Sequence, residues 1–204
     1  MLERAKEVTR SSPYTRIEYA RFADDLVVLI DYHRRWEWMV GAVVKRLREE
    51  FAKLHVEINE EKSRIVDLSC GDNFGYLGFE FRRVRTRKGR WRPHYVPKLK
   101  KRSALLQELK VIFRGHRSQP VDRVIAKINP ILRGWVRYFA IGFAGRCFGY
   151  IKAWVERKVR RHLAHARGRG GVGWTRWSRR WIYEVLGLYH DYRLHRSALK
   201  ALPT

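Results

Sequence analysis

Acidic residues nearly vanish after Glu80. Residues 82–204 hold 32 Lys/Arg against 5 Asp/Glu, a net of +27, whereas residues 1–81 hold 13 against 15, a net of −2. A folded segment so short of carboxylates repels itself unless it meets a polyanion. Nucleic acid is the expected one, since phosphate contacts release counterions and dominate affinity. Long apolar runs are also missing, so no segment is expected to span a bilayer, no leader is read before the first strand, and no membrane partner is expected. A preference for Arg over Lys set by genome composition explains the kind of cation; it does not explain the loss of acid. Cysteine is scarce as well. Cys70 and Cys147 lie far apart with no Cys-x-x-Cys pair, which argues against a zinc module and points to a reducing, cytoplasmic compartment. The eight histidines are scattered, and His162 with His165 lack a third ligand. These two are expected on a solvated or RNA-facing surface.

What is present supports folded cores. The chain has 204 residues, 45% hydrophobic and 13% aromatic, enough for one large or two small domains. The segment carrying a chemical signal is Phe22-Ala23-Asp24-Asp25. It lies between Arg16–Phe22 and Leu26–Tyr32, two β-type runs that read as a hairpin with aspartate at its tip. Adjacent carboxylates are hard oxygen ligands suited to Mg²⁺, which takes one or two of them and fills its shell with phosphates and water. Two such ions activate an attacking oxygen and stabilise a leaving one. The plainer reading is equally open at this point, since Asp favours turns through its own backbone hydrogen bonds.

Periodicity places the remaining elements. Trp36, Met39, Val40, Val43, Val44, Leu47, Phe51 and Leu54 stripe one helix. His55–Ile58 and Ser63–Leu68 read as short strands around an Asn59–Lys62 turn, and Phe74–Phe81 as a strand bent by its glycines. Residues 82–102 form a basic connector that includes Arg85, Arg87, Lys88 and Arg90, with Trp91 and Tyr95 interleaved. Cations among aromatics clasp phosphates while rings stack on bases; the alternative is a solvated β-ribbon. Leu105–Phe113 then marks a helix closed by Gly115. Val121–Ile128 marks another, expected to break at Asn129-Pro130. Phe148, Ile151, Val155 and Val159 stripe a third, whose other face carries Lys152, Arg157, Lys158, Arg160 and Arg161. The Gly168–Gly173 run lacks the context of a nucleotide cradle and reads as a linker. A last helix surrounds Trp177–Leu186. The expected class is α+β: an antiparallel sheet with a covering helix over residues 1–85, a basic connector over 86–117, and a helical RNA-binding domain over 118–204.

These residues resemble the group II intron-encoded reverse transcriptases and maturases. Arg21-Phe22-Ala23-Asp24-Asp25-Leu26-Val27-Val28 is similar to their Tyr/Phe-x-Asp-Asp signature. Asn59-Glu60-Glu61-Lys62-Ser63 resembles the lysine-bearing turn of the palm, and Phe74–Phe81 the primer-grip strand pair. Ile128–Phe139 is similar to the core of the maturase domain. The resemblance implies a partial palm, a helical thumb and a maturase region. It implies Mg²⁺ at Asp24 and Asp25, contact of Lys62 with nucleotide phosphates, and a primer grip at Tyr76, Leu77 and Gly78. It implies RNA contacts from Arg85, Arg87, Lys88, Arg90, Trp91, Arg133, Arg137, Arg157, Lys158, Arg160 and Arg161. The partners it implies are intron RNA, template RNA and a DNA primer.

The departures are equally specific. The family's metal site needs a third aspartate from an earlier palm strand, and none of Met1 to Phe22 is an aspartate. The fingers and the C-terminal cysteine-rich endonuclease module are not seen. The chain is therefore expected to be a C-terminal half, inactive alone in RNA-directed DNA polymerisation, with an N-terminal fingers/palm fragment from another chain as partner. The competing expectation is a non-catalytic, RNA-binding splicing factor.

Overall fold

Phe22 pairs with Asp25 across a two-residue turn, closing a hairpin of β1 (Ile17–Phe22) and β2 (Asp25–Ile30). The computed structural model describes residues 1–12, 15–31, 37–168 and 173–195. Tyr32, Trp36 and positions 169–172 of the glycine-rich linker lie outside the described residues. The chain divides into two compact units, Met1–Asp67 and Leu68–Thr204.

In the first unit, α1 (Leu2–Thr9) precedes the hairpin. Thr9 ties the two together: its Oγ1 accepts the Ile17 amide at 3.0 Å and donates to the Ala5 carbonyl at 2.8 Å. Lys6 pairs with Glu18 at 3.1 Å, and the Tyr19 hydroxyl bonds Glu3. The striped helix is α2 (Trp38–Lys53), but none of its residues is fully buried. Among the described residues of this unit only Thr15 and Ile17 are sealed from solvent. A two-stranded ribbon with so small a core has little independent stability. The strands expected at His55–Ile58 and Ser63–Leu68 do not form; both segments are irregular. Val56 and Ile65, 52% and 71% exposed, have no apolar surface to cover them. Local β-propensity is not enough without packing neighbours.

In the second unit, β3 (Asn73–Tyr76), β4 (Phe79–Arg85) and β5 (Trp91–Pro97) form an antiparallel meander. Phe74–Phe81 is thus a hairpin, turning at Leu77-Gly78 with φ of 46° and 79°. Both turn residues are left-handed, which matches the twist of the flanking strands. The basic connector is likewise the second hairpin, with Arg85 opposite Trp91. Phe79, Phe81 and Tyr95 share one sheet face by strand alternation.

Three helices follow: α3 (Leu99–Gly115), α4 (Val121–Tyr138) and α5 (Gly145–Ala166), then a short α6 (Arg179–Glu184). Leu109, Val124, Ile128, Leu132, Ile151 and Val159 have no exposed surface, each contributing roughly 1.5–3 kcal/mol by leaving water. A second cluster joins sheet to helices: Phe79, Val136, Phe139, Ala140, Ala144 and Phe148. Phe79 meets Phe139 with ring centres 5.0 Å apart. The α4–α5 corner lies against β5, where the Phe143 amide bonds the Tyr95 carbonyl at 3.0 Å. Gly142 permits this approach. Its φ is +68°, and a Cβ there would stand 2.3 Å from the Tyr95 ring.

The break expected at Asn129-Pro130 is absent, and α4 runs through to Tyr138. Pro130 and Ala126 both lie exposed, so the carbonyl that proline leaves unbonded faces water rather than the core. Asn129 has a different task. Its Nδ2 donates to the Gly187 carbonyl and its Oδ1 accepts the Tyr189 amide, both at 2.8 Å. The architecture is α+β, with small antiparallel sheets and helices.

Candidate nucleic-acid interface

The acidic residues after Glu80 are mostly committed elsewhere. Glu156 is fully buried, Glu184 pairs with Arg180 at 2.7 Å, and Asp191 pairs with Arg193 at 3.4 Å. Among the described residues no carboxylate pairs with Arg133 or Arg137 on α4, nor with Arg157, Lys158 or Arg161 on α5. The four arginines of that set are exposed and Lys158 is half-buried. Lys158 lies over the Trp154 ring, 5.3 Å from its centre. Burial holds the Lys158 ammonium below its ordinary range, and repulsion from Arg161, Lys110 and Arg114 adds to it. Lys110 and Arg114 come from α3, so two helices feed one cationic surface beside the Phe113–Trp154 contact. The sequence reading missed these two, because only the packing of α3 on α5 brings them to Lys158.

Arg160 does not belong to that surface. Its side chain is 1% exposed, donating through Nη1 to Glu156 Oε2 at 3.3 Å and through Nε to the Trp177 carbonyl at 3.0 Å. The Trp174 ring covers its guanidinium at 4.2 Å. Arg179 and the Tyr183 hydroxyl complete the shell of Glu156. Burial pushes the Glu156 carboxyl up, but its bonds to Tyr183, Arg179 and Arg160 outweigh that and leave it below its ordinary value. Burial and the same carboxylate drive Tyr183 far upward. Arg160 is therefore a buried structural cation, because the segment after α5 folds over this side of the helix. His162 is likewise buried, with Nε2 against the Gln119 carbonyl at 2.9 Å. His165 is exposed and accepts from Arg117 at 2.7 Å. The expected surface placement holds for His165 alone.

On the second hairpin, Arg85, Arg87, Lys88, Arg90 and Trp91 are all exposed. Arg85 curls back to the Gly89 carbonyl at 3.1 Å. Trp91 is half exposed, with the Arg83 guanidinium over its ring at 4.7 Å. At the first hairpin's turn, Leu77 and Gly78 are half-buried and held by α4 and by Lys98. The Tyr138 hydroxyl donates to the Leu77 carbonyl at 2.9 Å, and the Lys98 amide to that of Gly78 at 2.9 Å. Tyr76 pairs with Phe79 beside that turn.

Asp24 and Asp25 are exposed at the tip of the β1–β2 hairpin. Ala23 beside them has φ 49°, and its carbonyl accepts from Arg21 Nε at 3.1 Å. Lys62 is exposed on its turn, with its amide bonded to the Asn59 side chain at 3.1 Å. Two neighbouring carboxylates suit one Mg²⁺ with water and phosphate. A two-ion centre needs more. Among the described residues no group of three His, Cys, Asp or Glu is placed to hold a metal. The donor set does not fit that centre by itself.

No helix among the described residues is long and apolar enough to cross a membrane. Residues 102–183, from the start of α3 into α6, match the family described as group II intron, maturase-specific domain. No curated protein matches the chain.

Proposed function

We propose that this chain, whose residues 102–183 match the group II intron maturase-specific domain, binds intron RNA and assists its splicing. The observation that supports this reading is the unpaired cationic surface of Leu68–Thr204. Lys110 and Arg114 of α3 meet Lys158 and Arg161 of α5, and Glu156 of α5 is turned into the core. Fixed cations without internal partners gain most from phosphate, whose binding releases counterions. Trp91 and Arg90 on the second hairpin add an exposed aromatic and a cation of the kind that stack on bases and clasp phosphates. The test is binding of the full chain to a group II intron RNA across a salt series. A steep, linear fall of log affinity with log salt is expected, and a flat response would rule the reading out.

The second reading is RNA-directed DNA polymerisation, favoured by Asp24 and Asp25 at a turn shaped by a left-handed alanine. Backbone outliers of this kind cluster at functional sites. Here Mg²⁺ would be held by Asp24 and Asp25, Lys62 would meet nucleotide phosphates, and Tyr76, Leu77 and Gly78 would hold a DNA primer. A further carboxylate is required, and an N-terminal fingers/palm fragment from another chain would supply it. The chain alone is then inactive in primer extension. Extension by the isolated chain, lost in Asp24→Asn, would show the site to be complete without a partner.

A further inference from the structure

His94 on β5 sits at the centre of a group that neither reading uses. Its ring stacks on Phe143 with centres 4.5 Å apart and planes 18° from parallel. Arg82, its cross-strand partner on β4, donates from Nε to His94 Nδ1 at 3.3 Å. Arg92, two residues back on the same face of β5, lays its guanidinium over the other aromatic of the stack, 4.8 Å from the Phe143 ring centre. Arg146, at the start of α5, adds a weaker repulsion of the charged imidazole. Among the described residues, none of these three arginines has a carboxylate partner. Glu80 lies farther along the same face of β4, opposite Val96.

Three guanidiniums around a planar stack make a concentrated positive field, and among the described residues no carboxylate pairs with any of them. Arginine donates in a planar fork that matches phosphate oxygens, and it never gives up its proton. The hydrogen bond from Arg82 therefore has one consistent assignment: Nδ1 is the acceptor, and the free imidazole is neutral with its proton on Nε2. Burial, and then the charges of Arg82, Arg92 and Arg146, keep it that way by lowering its basicity.

We propose that Arg82, Arg92 and Arg146, grouped about the His94–Phe143 stack, form a site for a phosphate of the RNA backbone, and that binding there is coupled to proton uptake by His94. A phosphodiester oxygen entering the group takes the Arg82 Nε–H as its own donor. Nδ1, freed from that bond, takes one proton from the solvent, and the imidazolium then donates to phosphate. Arg82 stays charged throughout, so the exchange moves one proton from water to His94 and breaks no covalent bond other than that proton's. The anion also offsets the repulsion that kept the ring neutral, so its basicity rises on binding. The sign follows: a group that binds a proton only in the complex makes affinity rise as pH falls.

This inference rests on the RNA-binding reading, and its test separates the two. Affinity of the full chain for a uridine RNA of roughly 20 nucleotides is measured at fixed salt near pH 6 and near pH 8. The wild type is expected to bind about tenfold tighter at the lower pH, and His94→Gln to lose that difference to within about twofold. Replacing Arg82, Arg92 and Arg146 by Gln should weaken binding and lower the salt slope by about one to two. The His94 imidazole resonance of the wild-type chain, titrated with and without RNA, gives a reading that does not depend on any variant folding. An upward shift of its midpoint in the complex supports the site; an unchanged midpoint, or a full pH effect in His94→Gln, overturns it. Loss of all salt-dependent binding by the wild type would instead remove the RNA-binding reading itself.

Discussion

Arg160 lies one helical turn beyond Glu156 on α5, and the two side chains form an ion pair at 3.3 Å that solvent does not reach. Around them Trp177 supplies a carbonyl, Trp174 a covering ring, and Tyr183 and Arg179 further donors. The pair fastens the segment after α5 to the helix. Removing one partner of a buried pair strands the other, at a cost of about 3–5 kcal/mol. Arg160→Ala is therefore expected to lower the melting temperature sharply. Arg157→Ala and Arg161→Ala should leave stability within about 0.5 kcal/mol and lower the RNA salt slope by about 0.7–0.9 each. Thermal melts and salt titrations on the three variants check both halves.

The same network gives a pH dependence. Glu156 has a folded value below its ordinary 4.5, so its carboxylate stabilises the fold above that value. The stabilisation is lost as pH falls through the depressed folded value, where the carboxylate is protonated and releases Arg160 and Arg179. Acid unfolding of the wild type should accordingly steepen below about pH 4.5. Glu156→Gln, already weaker at neutral pH, should show a shallower acid limb. A wild-type-like limb in that variant would assign the acid sensitivity to other carboxylates.

Adjacent residues of α4 are expected to respond in opposite directions. Pro130 sits exposed inside the helix, where proline costs up to ~3 kcal/mol relative to alanine. Pro130→Ala should raise stability by about 1–3 kcal/mol. Asn129→Ala loses the bonds to Gly187 and Tyr189 and should cost about 1–3 kcal/mol, mainly by leaving the partly buried Tyr189 amide unpaired. Denaturant midpoints for the two variants decide the matter, and a stabilising Asn129→Ala would contradict the clamp.

Ala23 provides the corresponding test at the aspartate hairpin. Its left-handed φ of 49° is strained for any residue with a Cβ, and glycine adopts it freely. Ala23→Gly should leave stability unchanged or raise it by up to ~1 kcal/mol. Asp24→Asn should alter neither folding nor RNA affinity, because Asp24 is exposed and carries no positive charge to meet phosphate. Melting curves and binding isotherms on the two variants are sufficient.

Much of this organisation was legible in the residues themselves. The apolar stripes of α2, α3 and α5, and the hairpin around Asp24 and Asp25, follow from local periodicity and turn chemistry, which depend on neighbours a few positions away. The excess of positive charge after Glu80 needs no fold to be read, and neither does its implication of a polyanionic partner. Residues 55–58 and 63–68 misled because a strand exists only where a second strand and a packed face complete it. Asn129-Pro130 misled because the cost of proline depends on whether the orphaned carbonyl faces water or core, which local sequence does not state.

Charge count and period therefore determined that this chain has helices, hairpins and a polyanion-binding half. Tertiary packing alone decided which cations face outward. Arg157, Arg160 and Arg161 look alike in the sequence, yet the fold of residues 173–178 over one side of α5 buries Arg160 and leaves its neighbours exposed. Arg82 and Arg92 lie beside His94 by the β4–β5 pairing, but Phe143 and Arg146 join them because Gly142 lets the α4–α5 corner lie against β5. Burial and convergence are relations between distant segments, and those relations set the desolvation and the field that each charge experiences.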